Sequence, residues 1–401
     1  MNTFSFIANI ALGKETDKFK PYEEKKFNSG WINRTLKFNA VAGTNRIMCE
    51  IKGGSWEDGH GTIKTFAPGT VDDAGKRVKG EPIEIPWKDR TLQSNIDQVA
   101  PFRKFIVDLE EMGKRKLLQR IVEDGEVTDE TLAEAKVDSL EAAQAALEKS
   151  KAKRHEFLSE WDFAAFVYKL LNNEAVKNLK CRVSGNLVMT EYEGKFYQHY
   201  EVTRIMRAAA DAEYDTEAVI TLNFGQNAVD DGSVEEKGKY YINGYTFDYD
   251  SQRKQKIPCP IMLTLPAGTD AKSKAYAELL KKNFTINPVD GNICKELAVK
   301  VECVDGAERL ELTEDMLSDN EKELLMIGAV TMDELVRDRG KQVYGDRIRE
   351  FVITGFARGW LSGARLTAYH EEDFVLPPLN KVDTEALANE LFTDDEDDII
   401  I

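Results

Sequence analysis

The chain is short of the residues that metal and redox chemistry need. Its five cysteines, Cys49, Cys181, Cys259, Cys294 and Cys303, are odd in number and widely spaced, and no two form a Cys-x-x-Cys pair. That excludes a disulfide framework or a zinc knuckle and predicts reduced thiols in a cytoplasmic protein. The four histidines (His60, His155, His199, His370) never come at the spacing of a metal-binding pair, so neither a metal nor any other cofactor is expected. No apolar run approaches the roughly 18 residues of a membrane span. The first twelve residues are mildly apolar but are interrupted by Asn2 and Asn9 and have no basic start, which predicts an ordered edge segment instead of a signal peptide.

Motifs for catalysis are equally scarce. Gly69 to Lys76 approximates a phosphate loop, but five residues separate Gly69 from Gly75, and Arg77 stands where a Ser or Thr would ligate magnesium. Glu193-x-Lys195 matches the Glu-x-Lys element of metal-dependent nucleases, with Glu191 as a further acid, yet it falls at a hairpin turn. No enzyme is expected on these grounds.

What the chain does have is length and unevenly placed charge. At 401 residues it can form two or three domains. The net charge is −17, but residues 371–401 hold eleven acids and one base, Lys381, which leaves −7 for the preceding 370 residues. A nearly balanced body can carry a basic groove although the whole chain is acidic.

The pattern along the chain predicts an α+β, β-rich fold. Residues 1–97 read as a first β-rich part, with short alternating runs and glycine turns from 31 to 87. Residues 98–173 read as a helical insertion: the spacing of Phe102, Phe105, Ile106 and Leu109 starts it, and a helix near 156–171 carries Phe157, Trp161, Phe166 and Leu170 on one face. Residues 174–268 return to strands. Residues 269–376 read as a mixed α+β region with a helix at 271–283, strands near 293–304, 348–354 and 360–368, and a capping box at Thr331-x-x-Glu334. Pro377-Pro378 opens a linker and acidic tail over 377–401, with a short helix near 384–392. There is no internal repeat of fixed period.

Two-residue turns fix register, so hairpin faces can be read directly. About Glu193-Gly194, one face holds Cys181, Val183, Leu187, Met189, Phe196, Tyr200 and Val202. The other holds Lys180, Arg182, Asn186, Tyr192, Lys195, Tyr197, His199 and Arg207. About Gly43-Thr44, Leu36, Phe38, Ala40, Ile47, Cys49 and Ile51 point inward and Lys37, Asn39, Arg46, Met48 and Lys52 outward, flanked by Trp31 and Trp56 as stacking groups or core lids. About Asn243-Gly244, Tyr240, Ile242, Tyr245 and Phe247 form a core face, leaving Lys239, Tyr241, Thr246 and Asp248 outside. Basic loops at Lys76, Arg77 and Lys79 and at Arg253, Lys254 and Lys256 could extend a phosphate track. Cations interleaved with aromatics suit single-stranded nucleic acid, because lysine and arginine neutralise phosphates while rings stack on bases. Bent strands with long insertions suggest an oligonucleotide-binding (OB-fold-like) barrel.

The last eight residues, Asp394, Asp395, Glu396, Asp397, Asp398, Ile399, Ile400 and Ile401, set three apolar side chains behind five carboxylates. Such a segment stays hydrated, and solubility alone does not call for its isoleucines. It resembles the acidic tip of bacterial single-stranded DNA-binding proteins, with isoleucines where that family usually ends in Pro-Phe. Together with the barrel pattern, the chain resembles a phage-type single-stranded DNA-binding protein. The resemblance implies a protein that coats replication or recombination intermediates in the host cytoplasm without chemistry, and whose tail recruits partner enzymes. Two other readings are a metal-dependent nuclease or recombination enzyme using Glu191 and Glu193, and a virion or scaffolding protein with 269–376 as its assembly surface.

Overall fold

A computed structural model describes residues 2–72, 75–110, 113–173, 176, 179–232, 234–286, 294–310, 313, 317–332, 334–335 and 343–378. The expected tail, with its linker beyond Pro378 and its helix near 384–392, lies outside the described residues. The molecule is β-rich, with one large mixed sheet and several helices. Among the described residues no helix is long and apolar enough to cross a membrane.

Five strands close a first ring: β1 (Asn2–Leu12), β2 (Trp31–Ala42), β3 (Asn45–Trp56), β4 (Lys180–Tyr192) and β5 (Lys195–Arg207). β1 pairs antiparallel with β2 and β4, β2 with β3, and β4 with β5. A short parallel contact of β3 with β5, Cys49 opposite Tyr200 and Glu50 opposite Glu201, completes the circuit. The N-terminal segment expected at an edge is therefore central.

Five further strands repeat this order: β6 (Asp215–Phe224), β7 (Lys239–Asp250), β8 (Gln255–Pro266), β9 (Lys295–Leu310) and β10 (Val343–Phe356). β6 pairs antiparallel with β7 and β9, β7 with β8, and β9 with β10. The closing contact, Thr264 of β8 opposite Val352 of β10, is again parallel. The strands of 174–268 thus divide: β4 and β5 complete the first ring, while β6, β7 and β8 pair with strands of 269–376. The rings join where β1 and β6 run antiparallel, Thr3 opposite Val219 and Ile7 opposite Asp215, an approximate two-fold relation about the Ser5 and Glu217 pair.

Each ring has a helix between its third and fourth strands. In chain order the helices of the insertion are α1 (Lys114–Val122), α2 (Asp129–Ala135), α3 (Leu140–Lys151) and α4 (Glu160–Leu171), and α5 (Ala271–Asn283) follows β8; further helices lie at Gln93–Asp97, Val234–Lys237 and Asp319–Met326. Ser159 caps α4 by accepting from the Asp162 N–H, and Asp270 caps α5 by accepting from Lys272 and Ser273; each cap satisfies N–H groups that the helix leaves free. α4 buries Phe163, Ala164, Val167 and Leu171 under the first ring, and α5 buries Ala277 and Leu280 under the second, followed by the buried Phe284. The buried face of α4 is rotated from the one the spacing suggested. Phe157 belongs to a strand (Arg154–Phe157), Trp161 stacks on the Arg34 guanidinium, and Phe166 and Leu170 lie at the border.

The insertion is less helical than expected, because Phe105 and Ile106 lie in a strand (Phe105–Asp108) that pairs with Arg154–Phe157 and extends the ring along β5. Helices α1 to α3 beyond it have a small core of their own, with Leu118, Ile121 and Leu147. The Thr331–Glu334 capping box forms. Of 360–368 only Arg365–Leu366 is a strand, laid against β9. All five cysteines are free and buried. Burial pushes the thiols of Cys181, Cys259 and Cys303 up to about 12, which makes them poor nucleophiles.

Candidate nucleic-acid interface

The hairpins about Gly43-Thr44 and Glu193-Gly194 pair in the register their turns imply. Gly43 has φ +62°, and Glu193 and Gly194 have φ +51° and +77°, the left-handed pair of a type I′ turn. On β2 and β3, Lys37, Arg46, Met48 and Lys52 point outward. Trp31 and Trp56 lie opposite each other in an edge-to-face contact with ring centroids 5.2 Å apart, and Trp56 stacks on His60 at 4.8 Å. The parallel contact of β3 with β5 brings the outer side chains of both hairpins onto one surface. Tyr192 and Tyr197 are 61% and 46% exposed there, with Lys195 at the hairpin tip.

The middle of that surface is not purely basic. Glu50, buried on the same side, accepts from His199 Nδ1 at 2.9 Å and lies 3.5 Å from the Lys52 ammonium; His199 Nε2 is 2.9 Å from Thr190 Oγ1. Burial alone would push the Glu50 carboxyl up, but the His199 hydrogen bond and the Lys52 and Lys37 charges outweigh it and hold the group below the usual carboxylate range. Glu201 beside it is pushed the other way, by burial first and by the Glu50 charge second.

Several predicted residues are placed otherwise. Lys180 donates to the Ala212 carbonyl at 2.6 Å and lies 4.6 Å over Tyr214, while Arg182 reaches Ser5. Twelve residues of strand, about 40 Å, separate Lys180 from Tyr192, so these cations cannot line the tip. Arg207 is a correction: a bulge in β5 opposite Ser184 and Gly185 reverses the side-chain alternation, leaving Arg207 across from the inward Cys181.

The third hairpin is also corrected. Asn243-Gly244 is no turn: β7 runs unbroken through it, and the chain reverses at 251–254, where Asp250 Oδ1 accepts from the Gln252 and Arg253 N–H groups at 2.7 Å each. Tyr240, Ile242 and Thr246 therefore face the core, whereas Tyr241, Tyr245, Phe247 and Tyr249 alternate along the outer side. Lys239 pairs with Glu350 and, with Lys237, flanks the Tyr241 ring at 5.7 and 5.6 Å. Arg253, expected in a phosphate-tracking loop, is buried instead. Its guanidinium bonds Glu191 and Asp250 at 2.8 Å and donates to the Pro377 carbonyl at 2.8 Å. Glu191 also accepts from Gly194 N–H, so that carboxylate serves the hairpin tip. Lys76, Arg77 and Lys79 are exposed on a separate two-stranded arm, Lys79 over Phe66 at 4.2 Å.

The row Tyr245, Phe247, Tyr249 escaped the sequence reading. Its signal is the unbroken alternation from 239 to 250 ending at Asp250, a residue type suited to starting a turn.

No protein-family model matches the chain, and no curated protein matches it. Among solved structures, a deletion mutant of the single-stranded DNA binding protein from Thermus aquaticus is similar over 76% of this chain and 87% of that one, at 8% identity and a TM-score of 0.28; so loose an overlay supports no functional argument.

Proposed function

We propose that the chain binds single-stranded nucleic acid through two oligonucleotide-binding barrels in tandem, the first formed by β1 to β5 with residues 98–173 largely inserted in it and the second by β6 to β10. One observation carries the reading. Both rings follow the same circuit, with a parallel contact between the third and fifth strands and a helix between the third and fourth, and ligands of such barrels lie across the second and third strands. A fold does not set a function. The side chains on those strands supply the chemistry: Lys37, Arg46, Met48 and Lys52 in the first ring, Tyr241, Tyr245 and Phe247 in the second, with Tyr197 and His199 alongside. Cations would neutralise phosphates and rings would stack on bases. In this reading the protein coats replication or recombination intermediates in the host cytoplasm, as the phage-type resemblance implies. Its tail would compete for the basic surface through Asp394, Asp395, Glu396, Asp397 and Asp398, and would hold partner enzymes through Ile399, Ile400 and Ile401.

Fluorescence anisotropy with labelled single- and double-stranded oligonucleotides, titrated at several salt concentrations, tests this. Single strands should bind more tightly, with affinity falling several-fold or more between about 50 and 200 mM salt. Equal affinity for duplex, or no dependence on salt, refutes the reading; magnesium-dependent loss of the label would favour the nuclease instead.

A further inference from the structure

Two rings of the outer aromatic row of β7, Tyr245 and Phe247, are covered by residues 369–374 of the same chain, while Tyr249 stays exposed. Tyr369 lies flat on Phe247, ring centroids 3.6 Å apart and planes 4° from parallel, and Phe374 lies on Tyr245 at 4.7 Å and 18°. Between the two covering rings stand Glu371, Glu372 and Asp373, all exposed. The segment is fastened at both ends: Thr367 Oγ1 donates to Asn223 Oδ1 at 2.7 Å, and the Pro377 carbonyl accepts from Arg253. In the middle, the N–H groups of Tyr369, His370 and Asp373 bond within the segment, to Thr367, Asp373 and His370. Ring on ring is what faces the platform there. A cavity of about 630 Å³ opens beside the stack, lined by Asn243, Tyr245, Pro260, Met262, Glu371 and Phe374, a volume within the usual range of ligand sites.

Flat aromatic groups stacked at van der Waals distance, joined by a backbone that carries negative charge, are the chemical description of a single nucleic-acid strand. We propose that Tyr245 and Phe247 form a base-stacking site, and that residues 369–374 occupy it in the free protein as an internal stand-in, with rings in place of bases and carboxylates in place of phosphates. The inference rests on the single-strand-binding reading above, which already places Tyr245 and Phe247 among the stacking residues, and adds an internal competitor for them. A strand that enters must first lift the segment, so the apparent affinity equals the intrinsic affinity scaled by the fraction of molecules in which the segment is off.

The test is the full-length chain with Tyr369→Ala and Phe374→Ala, titrated with oligodeoxythymidylate and with an abasic strand of the same length. Losing two aromatic pairs should tighten thymidylate binding about fivefold or more, with no gain for the abasic strand, which has nothing to stack. Adding Tyr245→Ala and Phe247→Ala to that variant should abolish the gain. A second measurement needs no variant: amide hydrogen exchange of 369–375 in the parent chain should rise on saturation with thymidylate. Unchanged or weaker binding by the variant, an equal gain for the abasic strand, or exchange that stays level or falls overturns this inference while a salt-dependent parent leaves the single-strand reading standing. A parent chain that binds no single strand overturns both.

Discussion

Arg253 should be among the most costly side chains to remove. It is 5% exposed and ties together three parts of the chain: Glu191 at the tip of the first ring's hairpin, Asp250 at the end of β7, and the Pro377 carbonyl. The Gly194 N–H and the Arg253 guanidinium hold Glu191 below its usual range; at Asp250 burial pushes upward but the Arg253 backbone and side-chain bonds prevail. Both carboxylates therefore add stability above their unfolded pKa values, and lose it as pH falls through the lower folded ones. Arg253→Met leaves two shielded carboxylates side by side with no counter-charge. Breaking a buried ion pair costs about 3–5 kcal/mol; this cluster lies just under the surface, so the lower figure of about 3 kcal/mol applies. At about 2–4 °C per kcal/mol for a unit of 150–250 residues, the melting temperature at pH 7 should drop by about 6–12 °C. In the variant the Gly194 N–H still holds Glu191 and the backbone N–H groups of residues 252 and 253 still hold Asp250, but without the cation both carboxyls move up toward their unfolded values, so the penalty is largest at neutral pH and shrinks as pH falls toward 4. Thermal melts by circular dichroism at pH 7 and pH 4.5 measure both effects. A drop of under about 2 °C at pH 7, or an equal drop at the two pH values, would show that the cluster is solvated and refute the reasoning.

Two other perturbations bear on the proposed surface. Tyr197→Ala and Tyr241→Ala should each cost about 1–3 kcal/mol of single-strand binding with the melting temperature nearly unchanged; a stability loss without an affinity loss, from paired anisotropy and melting curves, would make them packing residues. Glu201→Gln should raise the melting temperature at pH 7, because burial and the Glu50 charge raise the Glu201 carboxyl and so make its ionised form unfavourable at neutral pH. The parent should gain stability as pH falls through that raised value and the variant should lack this gain; a lower melting temperature at pH 7 would contradict the assignment.

How much the sequence revealed depended on how local the cause was. The turns about Gly43 and Glu193-Gly194 set register within two residues, so the faces of both hairpins could be read before the bulge. At Asn243-Gly244 an equally strong local signal misled. Gly244 is there because β6 crosses close by: a Cβ would come within 2.7 Å of the Asn223 carbonyl and of Leu222. Nothing in alternation distinguishes a glycine kept for close approach from one kept for a turn. Ring closure was out of reach for the same reason, since Cys49 meets Tyr200 across about 150 residues, most of them insertion. The duplicated circuit has no common period, because the insertion separates β3 from α4 in one ring only. Outward cations were legible as outward; that Lys180, Lys239 and Arg253 already hold partners was not.

The antiparallel seam between β1 and β6 has a consequence for any ligand with a direction. Rings related by a two-fold axis present their second and third strands in opposite senses, so a polymer laid straight across both travels with the strands of one and against those of the other. A nucleic-acid strand has distinct 5′ and 3′ ends, and the two faces cannot hold it with the same set of contacts. For the ligand proposed above, side chains that suit one heading would be wrong for the other, so the two faces would have to differ in the side chains they present.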